Sequence, residues 1–216
     1  MPEMMGGPPT MSDPFLRGEL VTWSQVCRLS RRLAENIRAS GYRPDAVVAI
    51  ARGGYVPARL LCDALGVYDL QSIRIGHYEG GARKNETARC HSPPPANVRG
   101  LKVLLTDDCS DTGDTLRLAL EQLRCCGPLD IKIAVLHHKK VSPVVPDYYG
   151  RRIVSWRWLI YPWALTEDLS GFIAAMQPRP ETLDEAVRQL RARHGIKPPR
   201  SAVAYVLALM KQREAP

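Results

Sequence analysis

At 216 residues the chain has room for one hydrophobic core and a small appendage. Its 45% hydrophobic and 24% charged residues are those of an ordinary globular protein, and no apolar run nears the ~20 residues that span a bilayer, so no membrane partner is expected. The net charge is +8, and between Arg179 and Arg213 eight basic residues stand against three acidic ones. With only Tyr205 as aromatic interleaving, that stretch reads as a solvated helical face, not as a nucleic-acid surface.

Met1 to Pro14 is rich in Met, Pro and Gly and lacks the apolar centre of a signal peptide, so residues 1–15 read as a disordered lead-in. Thr22-Trp23-Ser24-Gln25 is a capping box. Val26, Leu29, Leu33 and Ile37 follow at helical spacing, with Gly41 as the stop. Ala46 to Ala51 is a short apolar run of the kind found in strands buried on both faces. Arg52-Gly53-Gly54 ends it, and a helix resumes over Pro57 to Leu65. Leu70 to Ile75 predicts a strand. Gly76 to Gly100, with Pro93 to Pro95 and several charges, predicts a long loop, part of it a mobile lid. Leu101 to Thr106 and Ile131 to His137 predict buried strands around a helix over Thr112 to Arg124 closed by Gly127. Ile153 to Tyr161 holds one more strand, stopped by Pro162. Strand, loop and helix in this alternation give an α/β fold, a mostly parallel sheet flanked by helices. Beyond Asp168 the pattern is helical: Thr182 to Glu185 is a second capping box opening a helix to His194, and a last helix runs from Ser201 to Arg213. The six cysteines form no CxxC pair and read as thiols in a reducing cytosol, which makes the chain cytoplasmic.

In a parallel sheet, ligands bind at the carboxyl ends of strands, where loops enter helices. Two such loops are unusual here. Asp107-Asp108-Cys109-Ser110-Asp111-Thr112-Gly113-Asp114-Thr115 puts small, hydroxylated and glycine residues at a helix start, an anion site suited to a phosphate monoester. One acidic N-cap would account for one Asp, not four within eight residues. The adjacent carboxylates of Asp107 and Asp108 suit hydrogen bonds from neighbouring ribose hydroxyls. In the second loop, the glycines of Arg52-Gly53-Gly54 allow close backbone approach, and Arg52 offers a fork for phosphate oxygens.

The run Val103 to Thr115 resembles the phosphoribosyl-pyrophosphate motif of the type I phosphoribosyltransferases: apolar residues, two acidic residues, a spacer, then Asp-Thr-Gly and a hydroxyl residue nearby. It is not a Walker loop, since no GKS or GKT is present. The resemblance makes Ala49 to Pro57 the pyrophosphate loop, with a cis bond before Arg52. It makes Asp111, Thr112, Gly113, Asp114 and Thr115 the 5-phosphate loop, and Asp111 the general base near N7 of a purine. Trp158-Leu159-Ile160-Tyr161-Pro162-Trp163 is similar to the bacterial xanthine-guanine and archaeal hypoxanthine-guanine members. Trp158 would stack on the base and the backbone of Leu159 would read its edge. Lys139, or Lys140, resembles the lysine that donates to the purine 6-oxo group; an ammonium can donate to a carbonyl but not usefully to a 6-amino group. Ala164 stands where many purine members carry an acidic residue that holds a metal-bound water, so Glu167 or Asp168 would have to substitute.

The resemblance implies a magnesium-dependent transfer of 5-phosphoribosyl from phosphoribosyl pyrophosphate to a 6-oxopurine, as in purine salvage. Asp107 and Asp108 would meet Mg2+ through ribose hydroxyls or water, and Tyr78, Arg83 and Lys84 would close a lid against water. It implies a phosphoribosyltransferase domain with a small hood over residues 16–170, a helical extension over 171–216, and a homo-oligomer, dimer or tetramer. The alternatives are transfer to orotate or adenine, and a regulator that senses phosphoribosyl pyrophosphate and binds nucleic acid through its basic tail. A gel-shift titration separates the last of these: phosphate contacts would give binding that weakens steeply between about 50 and 200 mM salt. No shift is expected at either concentration.

Overall fold

The structure is a computed structural model that describes residues 16–79, 83–91 and 97–214. The expected lead-in over 1–15 lies outside the described residues. The described chain divides into two compact units, 24–156 and 16–23 with 157–214.

The larger unit is built on a sheet of six strands: β2 (Ala46–Ala51), β3 (Asp69–Glu79), β4 (Arg83–Cys90), β5 (Lys102–Ser110), β6 (Asp130–Lys139) and β7 (Tyr148–Ile153). Their order is β4-β3-β2-β5-β6-β7, parallel throughout except for the antiparallel pair β3 and β4. This is the expected α/β class. Helices α1 (Trp23–Ala39), α2 (Tyr55–Leu65) and α3 (Asp114–Arg124) connect and cover the strands. Val48 and Ile50, Val103 and Leu105, and Ile133 and Val135 alternate along the three central strands and pack with Leu116, Ala119 and Leu123 of α3. The intervening Val47, Ala49, Leu104, Ala134 and Leu136 are equally buried. Both faces are thus covered, which explains why these strands read as unbroken apolar runs and not as alternation.

The smaller unit pairs β1 (Gly18–Leu20) in parallel with β8 (Trp158–Ile160) and carries α4 (Leu165–Ala175), α5 (Leu183–His194) and α6 (Arg200–Glu214). The capping-box reading of α5 is seen in the geometry. Thr182 Oγ1 accepts from the Glu185 N–H at 3.3 Å, and Gly195 closes the helix at φ 70°. The Glu185 carboxylate reaches back one residue further than the motif requires, accepting from the Glu181 N–H at 3.2 Å.

Three expectations need correction. The segment after Ile75 is not one long loop, because β3 continues to Glu79 and β4 returns antiparallel to it. Residues 80–82 and 92–96 of the expected lid lie outside the described residues. Strand β7, with its Gly and two Arg residues, was not expected at all, and neither was β1. Finally, β5 runs on to Ser110, so Asp107 to Ser110 belong to the strand's end and not to the loop after it, while Lys139 ends β6.

Gly54 fixes how tightly the turn after β2 packs on β5. A Cβ there would lie 2.3 Å from the Thr106 carbonyl oxygen and 2.7 Å from that of Ile50, both backbone atoms that cannot swing aside. Overpacking costs about 1–3 kcal/mol. Gly54→Ala should therefore lower Tm by roughly 2–12 °C, given about 2–4 °C per kcal/mol for a chain of this size. Differential scanning calorimetry of the purified variant checks it.

Candidate active site

The chain passes from β2 through α2 to β3 on one side, then crosses to β5 and continues through α3 to β6 on the other. The carboxyl ends of β2 and β5 therefore face a topological switch point, where crevices form in open parallel sheets. Arg52-Gly53-Gly54 lies at the first end and Asp107 to Thr115 at the second. The two loops meet: a Cβ on Gly53 would lie 2.3 Å from Asp108 Oδ2. The Ala51–Arg52 peptide is cis, as the resemblance implied.

Both loops lead into helices whose first turn lacks a side-chain cap. Gly54 is the N-cap of α2 and Gly113, at φ 83°, that of α3. The positive end of each helix dipole suits anionic oxygens, although in α2 the Tyr55 N–H already donates to the Arg52 carbonyl at 3.3 Å and Pro57 has no N–H. Thr112 and Thr115 are half-buried at the α3 end, and Asp114 pairs with Arg117 at 3.0 Å. A neighbouring loop that sequence reasoning missed holds this turn in shape. Ser110 Oγ donates to Ser142 Oγ at 2.7 Å, and a Cβ on Gly113 would meet Val144 Cγ2 at 2.8 Å.

Asp111 and Lys139 are brought together. Lys139 Nζ donates to Asp111 Oδ2 at 2.6 Å, with only 4% of the lysine side chain exposed. Lys140, the next residue, is exposed. Trp156, also missed, donates its indole N–H to Asp111 Oδ1 at 2.9 Å, and the Lys139 ammonium sits 4.0 Å above its ring. The expected base-binding pair belongs to the smaller unit. Leu159 is buried in β8 opposite Glu19, and the Trp158 indole donates to Asp168 Oδ1 at 3.0 Å. Asp168, one of the two carboxylates expected to replace the acidic residue missing at Ala164, is itself buried by that contact.

The electrostatics at the end of β5 are uncomfortable. Burial, and then the Asp108 carboxylate beside it, push the Asp107 carboxyl well above the usual carboxylate range. The Asp108 N–H donating to its Oδ1 at 2.9 Å offsets only part of this. Burial likewise pushes the Cys109 thiol well up despite the Lys139 ammonium, which keeps it from serving as a thiolate nucleophile. Because the folded Asp107 holds its proton to higher pH than the unfolded chain does, the native state loses stability as pH rises through the unfolded carboxylate range. Asp107→Asn keeps the acceptor for the Asp108 N–H and removes the ionisation. Without magnesium it should raise Tm by roughly 2–4 °C at pH 7 and change it little near pH 3. Thermal melts of both proteins across that pH range test this.

Residues 17–167 match the family described as a phosphoribosyl transferase domain. The xanthine-guanine phosphoribosyltransferase of Gluconobacter oxydans (strain 621H) is 30% identical over 143 residues, 66% of this chain and 82% of that protein. Among solved structures, the purine phosphoribosyltransferase from Pyrococcus horikoshii OT3 superposes with a TM-score of 0.60 at 36% identity, covering 68% of this chain and 94% of that one. A protein from Neisseria gonorrhoeae solved with bound ppGpp gives a TM-score of 0.60 at 27% identity, over 74% and 98% of the two chains. A match that spans the sheet, both strand-end loops and most of the sequence shows that the chain belongs to the phosphoribosyl transferase family.

Proposed function

We propose that the protein transfers the 5-phosphoribosyl group of phosphoribosyl pyrophosphate to a 6-oxopurine, releasing pyrophosphate. The observation that carries the reading is the Asp111–Lys139 pair, an acceptor and a donor 2.6 Å apart beside the phosphate loop. Facing a purine, Lys139 donates to O6 and Asp111 accepts the proton at N7 while N9 bonds to C1′ and the C1′–pyrophosphate bond breaks. An ammonium has three donors, so Lys139 can serve O6 without abandoning Asp111. Arg52 and the backbone at Gly53 hold the leaving pyrophosphate. The residues from Thr112 to Thr115 hold the 5-phosphate, and Asp107 and Asp108 hold the ribose hydroxyls. The resemblance adds Trp158 and Leu159 as contacts to the base. The names of the relatives from Gluconobacter and Pyrococcus support a purine, and the guanine nucleotide on the Neisseria protein supports a site for purine and phosphates together.

The end of β5 fits magnesium. This ion keeps several waters and binds through one or two carboxylates plus substrate phosphates, not in an all-protein cage. Asp107 and Asp108 are such a pair, their mutual repulsion is what a cation relieves, and no cluster of three or more His, Cys, Asp or Glu forms a cage among the described residues. They would hold the ion through water or the ribose hydroxyls, and it would neutralise charge on the leaving pyrophosphate. The same reading takes 16–170 as the transferase domain with its hood, 171–216 as an extension, and the protein as a cytoplasmic homo-oligomer. The family match over 17–167 supports the first of these. Among the described residues no helix is long and apolar enough to cross a membrane.

Pyrophosphate release measured across a panel of bases tests the reaction. Hypoxanthine, guanine or xanthine should be turned over, and adenine poorly, because its 6-amino group would meet an ammonium with no acceptor. Adenine rates that match those of the 6-oxopurines would end the 6-oxopurine assignment. Lys139→Gln should cut turnover of the preferred base roughly ten- to a hundredfold, the worth of a buried charge-assisted hydrogen bond. Lys140→Gln should change it less than twofold, as for a surface substitution of roughly 0.5 kcal/mol or below.

A further inference from the structure

Trp156 lies between β7 and β8, 45 residues from Asp111, and no motif singles it out. Its side chain nevertheless closes a three-membered contact. The indole N–H takes one oxygen of Asp111 at 2.9 Å, Lys139 takes the other at 2.6 Å, and the ammonium lies 4.0 Å above the indole ring. Each of the three side chains touches the other two. An indole nitrogen can only donate, so Oδ1 is fixed as an acceptor and the carboxylate plane is set from both ends. The ring face holds the ammonium by its quadrupole and not by a second anion, which leaves Asp111 as the one carboxylate in the contact.

We infer that Trp156 is a positioning residue for the transfer reaction, keeping the Asp111 carboxylate turned toward the base when Lys139 reaches for O6. The inference rests on the role proposed above for Asp111. It has a physical motive. Lys139 has two calls on it once a 6-oxopurine is present, and an Asp111 tied to Lys139 alone would follow the ammonium or rotate. The indole N–H is the tie that the substrate does not compete for, because its acceptor is not on the base. The titratable groups that share this corner are Lys139 from β6 and Asp107, Asp108 and Cys109 from β5; all of them remain in the variant described next.

Trp156→Phe keeps an aromatic face under the ammonium and removes the N–H. It should lower kcat roughly three- to tenfold, the worth of one net hydrogen bond, with KM for phosphoribosyl pyrophosphate unchanged within twofold. In an Asp111→Asn background the same substitution should add nothing further, since Trp156 acts through Asp111. A packing role alone would act equally in both backgrounds. The contact is also readable without turnover. The Trp156 indole resonance in a 1H–15N spectrum, assigned by its loss in Trp156→Phe, should shift on Asp111→Asn. An active enzyme whose kcat ignores Trp156→Phe overturns the inference, and so does an indole resonance indifferent to Asp111→Asn. A protein that transfers phosphoribosyl to no purine would overturn the proposed function instead, with the resonance still deciding whether Trp156 governs Asp111.

Discussion

A lysine ammonium with 4% of its side chain exposed cannot stand alone, and the ion pair between Lys139 and Asp111 is the interaction on which the rest of this site depends. The pair forms only if two strands end side by side. The parallel register of β5 and β6, Cys109 opposite His137 and Ser110 opposite His138, delivers Asp111 and Lys139 to the same corner. Beyond it the chain must turn sharply on one strand into α3 and on the other into the Ser142–Val144 loop, and those two turns lock together through Ser110 and Gly113. Replacing such a pair with apolar residues is often neutral or stabilising, whereas removing one partner strands the other charge. Stability is therefore a poor account of why the two charges are here. A donor and an acceptor held a fixed distance apart is the better one.

The neighbouring carboxylates are further from comfort. Asp107 is buried, repelled by Asp108, and left with one N–H to offset both. No structural need requires two acids at that point in β5, where the preceding residues Val103 to Leu105 are fully buried hydrophobics. The chain gives up stability there, and it does so where β2 and β5 open a crevice and where Gly53 lets the backbone come up against Asp108. A stability deficit placed at a ligand crevice is the usual relation between binding sites and the folds that carry them.

Much of this was legible in the amino-acid order. The central strands announce themselves because both faces are covered, and α5 because Thr182, Glu185 and Gly195 write its two ends. Asp107 to Thr115 was legible because an apolar run, a cluster of acids and a glycine fall within one short stretch. Other elements were not. β4 is an edge strand with three basic residues in eight, the composition that keeps edges from pairing with other chains but that reads in isolation as a loop. β7 carries Gly150 because a Cβ would meet the Leu136 carbonyl oxygen at 2.9 Å and Leu29 at 3.1 Å, and a glycine followed by two arginines suggests a turn. Ser142, Val144 and Trp156 are functional neighbours only through the fold. Trp156 and Trp158 stand two apart and invite one shared role, yet their indoles donate to Asp111 and Asp168 respectively.

The helix starts carry the same division of labour. Thr182 spends its hydroxyl on an amide of α5, whose N-terminus has no other task. Gly54 and Gly113 have no side chain to spend, so α2 and α3 start without a side-chain cap. Exchanging a capping Ser, Thr, Asp or Asn for Gly costs only a few tenths of a kcal/mol, far less than exchange for Ala. The two positions also have no room for the alternatives: a Cβ would strike backbone at Gly54 and Val144 at Gly113. Close packing thus demands the same residue at the same two places. A glycine at each strand-to-helix turn serves the fold by its absence of volume, and it leaves no side-chain oxygen to cap the helix behind it.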